Sequence, residues 1–252
     1  MKKINSLNVL ITLLALTLSF NANANYLTFF GEDLNNSTTI PLATHPKSTA
    51  AETSYLSNLV GVGTETFESF STGSTAPLAL TFPGAGTATL TGGNGSIQSV
   101  ASGSTNGAGR YAISGTKYWE VQAGSGGNFE INFSGPVAAF GFYGIDIGDF
   151  GGQVTVELEN GLNSVFNVGN SIGSNGSTDG SVLFYGLIGT TAADLFTKVT
   201  FNTTTGQGDI FAFDNLTIGS LEQVNTQVPE PTSLVLLGLG ALGLFGARRK
   251  TV

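Results

Sequence analysis

Three stretches of the chain alternate apolar and polar side chains with a period of two. In 128–133, Phe129, Ile131 and Phe133 share one face against Asn128, Glu130 and Asn132. In 153–158, Val154, Val156 and Leu158 oppose Gln153, Thr155 and Glu157. In 198–202, Val199 and Phe201 point inward. That period predicts strands buried on one face only. The stretches 137–147 and 210–218 are apolar on both faces, which predicts central strands. Strict alternation in 210–218 puts Asp214 on the face of Ile210, Ala212, Leu216 and Ile218. Shorter runs at 66–70, 78–82, 87–91, 110–113, 118–121 and 181–188 bring the expected strands to about eleven. The 36 glycines follow no three-residue period and fall between the apolar runs, as turn residues do. The pattern predicts an all-β fold, a two-sheet antiparallel β-sandwich of the jelly-roll type over 49–218. A closed barrel is the competing architecture.

One short helix is expected at the N-terminal side. Thr49-Ala50-Ala51-Glu52 fits a capping box, in which both side chains take up free backbone donors. Tyr55, Leu56 and Leu59 follow at helical spacing, so the helix is placed at 50–60. The segment 25–48 lacks sustained periodicity and reads as loop. Residues 169–180 read as a Gly/Ser/Asn loop, Thr91 to Ser96 as a turn, and the polar 219–227 as a linker.

The two ends differ from this middle. Lys2-Lys3, an apolar stretch at 7–20 and Ala22-Asn23-Ala24 follow the order of a secretory signal peptide. Cleavage is expected after Ala24, which makes 1–24 the leader; an uncleaved signal anchor is the alternative. At the other end, Val228-Pro229-Glu230-Pro231 precedes an uncharged apolar run at 232–247, then Arg248-Arg249-Lys250. Those 16 residues would form a helix of about 24 Å, short of a hydrocarbon core of roughly 30 Å. Arginines at its end can snorkel to close the gap, and a basic flank stays on the cytoplasmic side. A C-terminal transmembrane helix is therefore expected, with everything before Pro229 across the membrane.

The order of parts in 228–252 resembles the PEP-CTERM sorting signal of Gram-negative surface proteins. The residues that carry the likeness are Pro229, Glu230, Pro231, the Gly/Leu-rich span, and Arg248, Arg249 and Lys250. The resemblance implies a membrane-embedded exosortase as partner, a transient inner-membrane anchor, and a destination at the cell surface or in the extracellular matrix. An ordinary C-terminal membrane anchor is the plainer alternative.

Composition narrows what the exported part can do. There is no cysteine, so neither disulfides nor thiol chemistry is available. Residues 25–231 suffice for one sizeable domain held by a packed core. That part keeps all 17 acids against Lys47, Arg110, Lys117 and Lys198, a net charge of about −13. Nucleic acid is excluded as a partner, because it demands a basic footprint. Direct binding to anionic lipid is disfavoured too. Carboxylates offered to divalent cations suit the balance, so calcium is the one cofactor to weigh.

The core has its own likeness. Thr66-Phe67-Glu68, Ile113 to Trp119, Phe140 to Gly152 and Phe211 to Asn215 resemble recurring landmarks of one group of uncharacterised PEP-CTERM surface proteins. An early Phe-Glu and a late Asp-Asn are also similar to carbohydrate-binding jelly rolls, in which such acids help hold a structural calcium.

Catalytic chemistry is mostly absent from the sequence. The single histidine, His45, lies in a Thr-His-Pro loop, and no Gly-x-Ser-x-Gly precedes a histidine. With one histidine and no cysteine, a zinc site is nearly excluded. Glu68 with Asp214 is one calcium candidate, against hydrogen bonds alone. Asp146 with Asp149 is the other, against a plain Asp-Gly turn or a carboxylate pair for glycoside chemistry. Trp119 with Tyr118 and Tyr111 forms either a sugar-stacking platform or part of the core. The expectation is thus an exported, non-enzymatic surface or matrix protein, sorted through its tail. A carbohydrate-binding module of the exopolysaccharide layer is the alternative, and a hydrolase on a lectin-like fold a third reading.

Overall fold

The computed structural model describes residues 26–225 apart from Leu162 and Asn175, so the leader and the tail lie outside the described residues. Among the described residues thirteen strands form two antiparallel sheets, accompanied by one α-helix and two short 3₁₀ turns. In chain order they are β1 (Tyr26–Asp33), the helix α1 (Pro46–Leu56), β2 (Thr64–Glu65), β3 (Leu78–Phe82), β4 (Gly86–Thr91) and β5 (Ser96–Ser99). Then come β6 (Lys117–Ala123), β7 (Glu130–Val137), β8 (Ala139–Ile145), β9 (Val154–Leu158) and β10 (Ser164–Asn167). The last are β11 (Val182–Gly189), β12 (Phe196–Thr203) and β13 (Asp209–Gly219).

The seven-stranded sheet runs β1-β11-β8-β13-β6-β5, with β2 also on β13; the six-stranded sheet runs β10-β9-β12-β7-β4-β3. Between the sheets lies an aromatic core. Phe213 stacks on Phe142 at 5.0 Å and meets Phe129 at 5.6 Å and Phe201 at 6.0 Å, and all four are fully buried. Such rings bury large apolar areas and add edge and offset contacts.

The seven-stranded sheet also has a buried outer face. There α1 and the segment around Tyr111 cover Tyr118, Tyr143, Phe184 and Ala212. This second layer explains why β8, β11 and β13 are apolar on both faces. Tyr55 of α1 is the anchor: its ring lies over the paired Gly141 and Gly186, where an added Cβ would come within 2.8 and 2.7 Å of it. Its hydroxyl donates to the Thr217 carbonyl at 3.2 Å.

Several local expectations are corrected. The helix starts at Pro46, not Ala50. Proline fits the first helical position, and the Lys47 and Ser48 N–H groups are capped by the carboxylate of Asp33 at 3.2 and 2.9 Å. Thr49 and Glu52 therefore form no capping box; Glu52 instead accepts from the Tyr143 hydroxyl at 2.9 Å. The segment 25–48, expected as loop, supplies β1, an edge strand paired along its whole length with β11. The expected strands at 66–70 and 110–113 are irregular, while β5 and β10 form where none was expected.

The expected linker 219–227 is instead part of the domain as far as Asn225. Gln223 accepts from its own turn at Ser220 N (3.0 Å) and donates to the carbonyls of Gly61 (2.7 Å) and Pro83 (3.0 Å). Val224 is buried beside Leu59, and the Asn225 N–H donates to Asn58 O at 2.7 Å. Among the described residues no helix is long and apolar enough to cross a membrane.

Candidate functional site

Three of the four core landmarks of the sequence meet around one loop, Ile113-Ser114-Gly115-Thr116-Lys117. Two carboxylates hold it. Asp214 Oδ2 accepts from the N–H of Ile113 (2.8 Å) and Ser114 (3.2 Å), and its Oδ1 from Asn215 N (2.8 Å). Glu68 Oε1 accepts from the N–H of Thr116 (2.8 Å) and Lys117 (2.6 Å). Lys117 Nζ then donates to the carbonyls of Glu68 (2.8 Å) and Phe70 (2.7 Å). Ser114 Oγ closes the set with Asn215 Oδ1 at 2.6 Å.

A break in alternation puts Asp214 there. Asn215 has φ 48, and the pairing of β13 with β8 shifts between Asp214 and Thr217. The bulge changes the phase of the strand. Phe211 and Phe213 face the inner core before it, and Leu216 and Ile218 after it. Asp214 therefore shares a face with Ala212 but not with Leu216 or Ile218, which corrects the alternation read from sequence. Burial pushes its pKa up to about 8, against the N–H bonds from Asn215, Ser114 and Ile113, with Glu68 adding repulsion.

These residues do not fit a calcium cage. Calcium takes six to eight oxygens. Here both Asp214 oxygens and Glu68 Oε1 accept from N–H donors, which carry the same sign of charge as the ion, and Glu68 Oε2 faces the Thr116 hydroxyl at 3.5 Å. Among the described residues no group of three or more His, Asp or Glu side chains is placed to hold a metal.

The other acidic candidates lie at the far end of the seven-stranded sheet. Asp146, at φ 72, is buried; its Oδ1 accepts from Gly180 N (3.0 Å) and its Oδ2 from Arg110 Nη1 (3.2 Å). Arg110 Nε also donates to Glu120 at 2.8 Å. Asp209 Oδ2 accepts from Gly148 N at 3.1 Å. Burial pushes Asp146 up to about 7, opposed by Gly180 and Arg110, with Asp149 and Asp179 adding to the rise. Burial likewise pushes Asp209 up to about 8, with Asp149 and Asp146 adding to it. Asp149 is half-buried and contributes its charge to both neighbours. The sequence pair is thus a four-aspartate, one-arginine cluster. Asp179 and Asp209 join it only through the fold.

Trp119 and Tyr118 are both fully buried, on opposite faces of β6. Trp119 stacks on Phe67 at 6.5 Å, and Gly95 lies flat against its indole, where an added Cβ would fall 2.1 Å from the ring. Neither is available as an exposed sugar platform. His45 contacts Thr49 Oγ1 through Nδ1 at 3.0 Å and sits edge-on to Tyr143. It also borders a cleft of about 290 Å³ shared with Leu42, Val100, Ser102, Tyr111 and Ile113, whose lining carries no Asp, Glu, Lys or Arg. The landmark loop forms one wall of this cleft. Sequence reading passed over it, since backbone and small side chains make most of its surface.

Asn225, whose N–H bonds the Asn58 carbonyl, lies four residues before Pro229. A family model described as the PEP-CTERM protein-sorting motif matches residues 227–250. The chain carries a PEP-CTERM sorting motif. The motif implies export, membrane-linked sorting to the cell surface, and processing by an exosortase. The sorting residues Pro229, Glu230, Pro231, Arg248, Arg249 and Lys250, the expected transmembrane helix, and the leader with Ala22 and Ala24 all lie outside the described residues. No curated protein matches the chain. Among solved structures, the K2 cleaved adhesin domain of Lys-gingipain is similar at 16% identity, covering 62% of this chain and 97% of that chain, with a TM-score of 0.36. At that score the likeness carries no argument.

Proposed function

We infer that this is a non-enzymatic protein of the cell surface or extracellular matrix of a Gram-negative-type bacterium. It is exported through a leader cleaved after Ala24, held by a transmembrane helix at 232–247, and processed at its tail. One observation carries the reading: the sorting motif at 227–250 begins two residues after Asn225, which a hydrogen bond to Asn58 ties to the sandwich. The remainder of the chain is then a single displayed domain. Its strands β6 to β13 support the jelly-roll reading. They lie as β6-β13-β8-β11 in one sheet and β7-β12-β9-β10 in the other, two interlocked antiparallel sets. The engaged carboxylates of Glu68 and Asp214, and the lone histidine turned to Thr49, favour a structural over a catalytic role. Mass spectrometry of the mature protein from its native envelope tests this: the chain should begin at Asn25 and lack Arg248, Arg249 and Lys250. An intact basic tail would favour a permanent anchor. Replacing those three residues by neutral ones should leave unprocessed protein, since the charges resist translocation.

A second reading, binding of extracellular polysaccharide, is favoured by the cleft beside His45 and Tyr111. Its uncharged lining suits a neutral sugar. A glycan screen on residues 25–228 tests it, with Ser102→Trp as the variant that should abolish any binding found.

A further inference from the structure

The two sheets end in the edge strands β1, β5, β10 and β3, and three of these are guarded. β3 is five residues long and lies between Pro77 and Pro83. β10 and β5 have four residues each, and the segment 73–76 bonds along β5, with Gly73 N donating to Ile97 O and Ile97 N to Ser74 O, both at 2.8 Å. β1 is different. It has eight residues, no proline or lysine and an unbroken register, and among the described residues it pairs only with β11. Every second residue of such a strand turns its backbone N–H and C=O outward. A free edge of this kind is a template for another strand, which proteins otherwise blunt with charge, proline, bulges or shortness. The two acids of β1 do not blunt it. Glu32 accepts from Ser171 Oγ at 2.7 Å, and Asp33 caps α1.

The edge is flanked by a helix. α1 packs over β1 and β11 together and hardly over β8. A groove of about 360 Å³ lies between strand and helix, lined by Thr28 to Phe30 and by Lys47, Ala50, Ala51 and Ser54. The exposed helix positions in its middle, Ala50 and Ser54, carry small side chains. Along the same strand Leu27 and Phe30 are 46% and 43% exposed. The wall thus combines unpaired backbone, apolar side chains and a helix face that another helix can approach closely.

The occupant that fits this wall is a second copy of it. With strands about 4.8 Å apart and α1 above the line between β1 and β11, two β1 strands paired about a two-fold axis set their helices about 10 Å apart. That is the distance of packed helices. Antiparallel pairing carries Glu32 and Asp33 of each copy to the Tyr26 end of the other, so like charges do not meet. With Ala50 at the axis, Lys47 faces Ser54 of the second copy. The wall is about 27 Å long, from eight residues at the strand rise. Helix and two sheets make it roughly 20–25 Å deep. It therefore buries about 600 Å² per copy, or about 1,200 Å² in all, which reaches the range of specific interfaces. We propose that β1 and α1 form the two-fold interface of a homodimer, in which the seven-stranded sheets of two copies join edge to edge into one continuous sheet.

The full chain in detergent micelles would be measured by light scattering, with the detergent's mass subtracted, over a wide range of concentration. A dimer is expected. Ala50→Arg sets bulk and two like charges at the axis from an exposed helix position. It should raise the dissociation constant at least about tenfold and leave the circular dichroism spectrum unchanged. Leu27→Lys should weaken the dimer too, whereas Thr81→Arg, on the guarded edge β3, should not. Because the chain has no cysteine, Ala50→Cys supplies a second readout: it should give a disulfide-linked dimer on oxidation, and Thr81→Cys should not. A wild type that stays monomeric at every concentration overturns the proposal and leaves the groove to a segment of this chain or to another protein's strand. A dimer that Ala50→Arg leaves intact also overturns it, because the contact then lies elsewhere. Equal cross-linking at positions 50 and 81 would do the same.

Discussion

The two sheets of this sandwich have similar strand numbers but opposite outer faces. The seven-stranded sheet is covered outside by α1 and by the segment that includes Tyr111 and Ile113, so Tyr143, Phe184 and Ala212 are buried there. The six-stranded sheet shows its outer face to water, where Lys198 pairs with Glu159 at 3.1 Å and with Glu130 at 3.7 Å. The difference was encoded as pattern. Stretches 128–133, 153–158 and 198–202 alternate and fall in the six-stranded sheet. Stretches 137–147 and 210–218 are apolar throughout and fall in the seven-stranded one. A run apolar on both faces signals a second covering layer as much as a central position.

The largest effect is expected where the two sheets share a core. Phe213→Ala removes a ring packed on Phe67, Phe129, Phe142 and Phe201 and leaves a cavity in both sheets' inner faces. Destabilisation of about 3–5 kcal/mol is expected from denaturant titration. A loss near 1 kcal/mol would mean that the two sheets pack less closely than described.

Next comes the covering layer. Asp214→Ala strips the acceptor from the N–H groups of Ile113, Ser114 and Asn215. A cost of about 2–4 kcal/mol is expected, at 1–3 kcal/mol for each buried group left unsatisfied and with some rescue by water. The same measurement decides the calcium question. The wild-type domain should melt at one temperature in calcium and in chelator, because its carboxylates already serve the loop. A calcium-dependent rise of several degrees would restore the metal site at Glu68 and Asp214.

What the sequence could not disclose is mostly what depends on distant partners. The strands with a full apolar face were legible, and 78–82 was placed to the residue. β1 was missed because, among the described residues, its outer edge has no neighbouring strand, and its aromatic residues divide between two layers: Tyr26 meets Phe166 and Phe29 meets Tyr55. The helix start was misplaced because its cap, Asp33, belongs to another element. Asn215 gave no local sign of a bulge, so the face of Leu216 and Ile218 was read out of phase. Among site residues, Glu68 and Asp214 were singled out from the sequence as a calcium pair or as a hydrogen-bonding pair, a choice it left open. Their partners are backbone N–H groups some 50 and 100 residues away, which no spacing rule reveals. The sorting tail is the opposite case: its meaning lies in the order of a few local parts, so it was legible without any fold.

The aspartate cluster around Arg110 gives a smaller effect, graded by pH. Asp146 and Asp209 rise from 3.8 to about 7 and about 8 in the folded state, chiefly through burial. A raised folded pKa means that the folded state holds its proton longer than the unfolded chain does. Their contribution is therefore fully present below about pH 4 and is lost as pH rises toward 7–8, with a slope of at most about 1.4 kcal/mol per pH unit for each group. The domain should melt higher at pH 5 than at pH 8.5, and Asp209→Asn should flatten the profile while keeping an acceptor for Gly148 N. A profile unchanged by that substitution would show that Asp209 ionises as an ordinary carboxylate.

The smallest effect is expected on that outer face. Lys198 is held between two carboxylates, but its side chain and theirs remain partly in water. Exposed pairs contribute about 0.2–1 kcal/mol, because solvent screens the attraction and ordering the side chains opposes it. Lys198→Ala should therefore cost no more than about 0.5 kcal/mol, and the cost should fall further in high salt. Tyr143→Phe, on the covered face of the other sheet, supplies the control: it loses one hydrogen bond to Glu52 and should cost about 1 kcal/mol with little salt dependence. If Lys198→Ala proved the more damaging of the two, the outer face of the six-stranded sheet would have to be covered as well. The natural place to look for its cover would then be a second molecule, since among the described residues the chain offers no layer to place there.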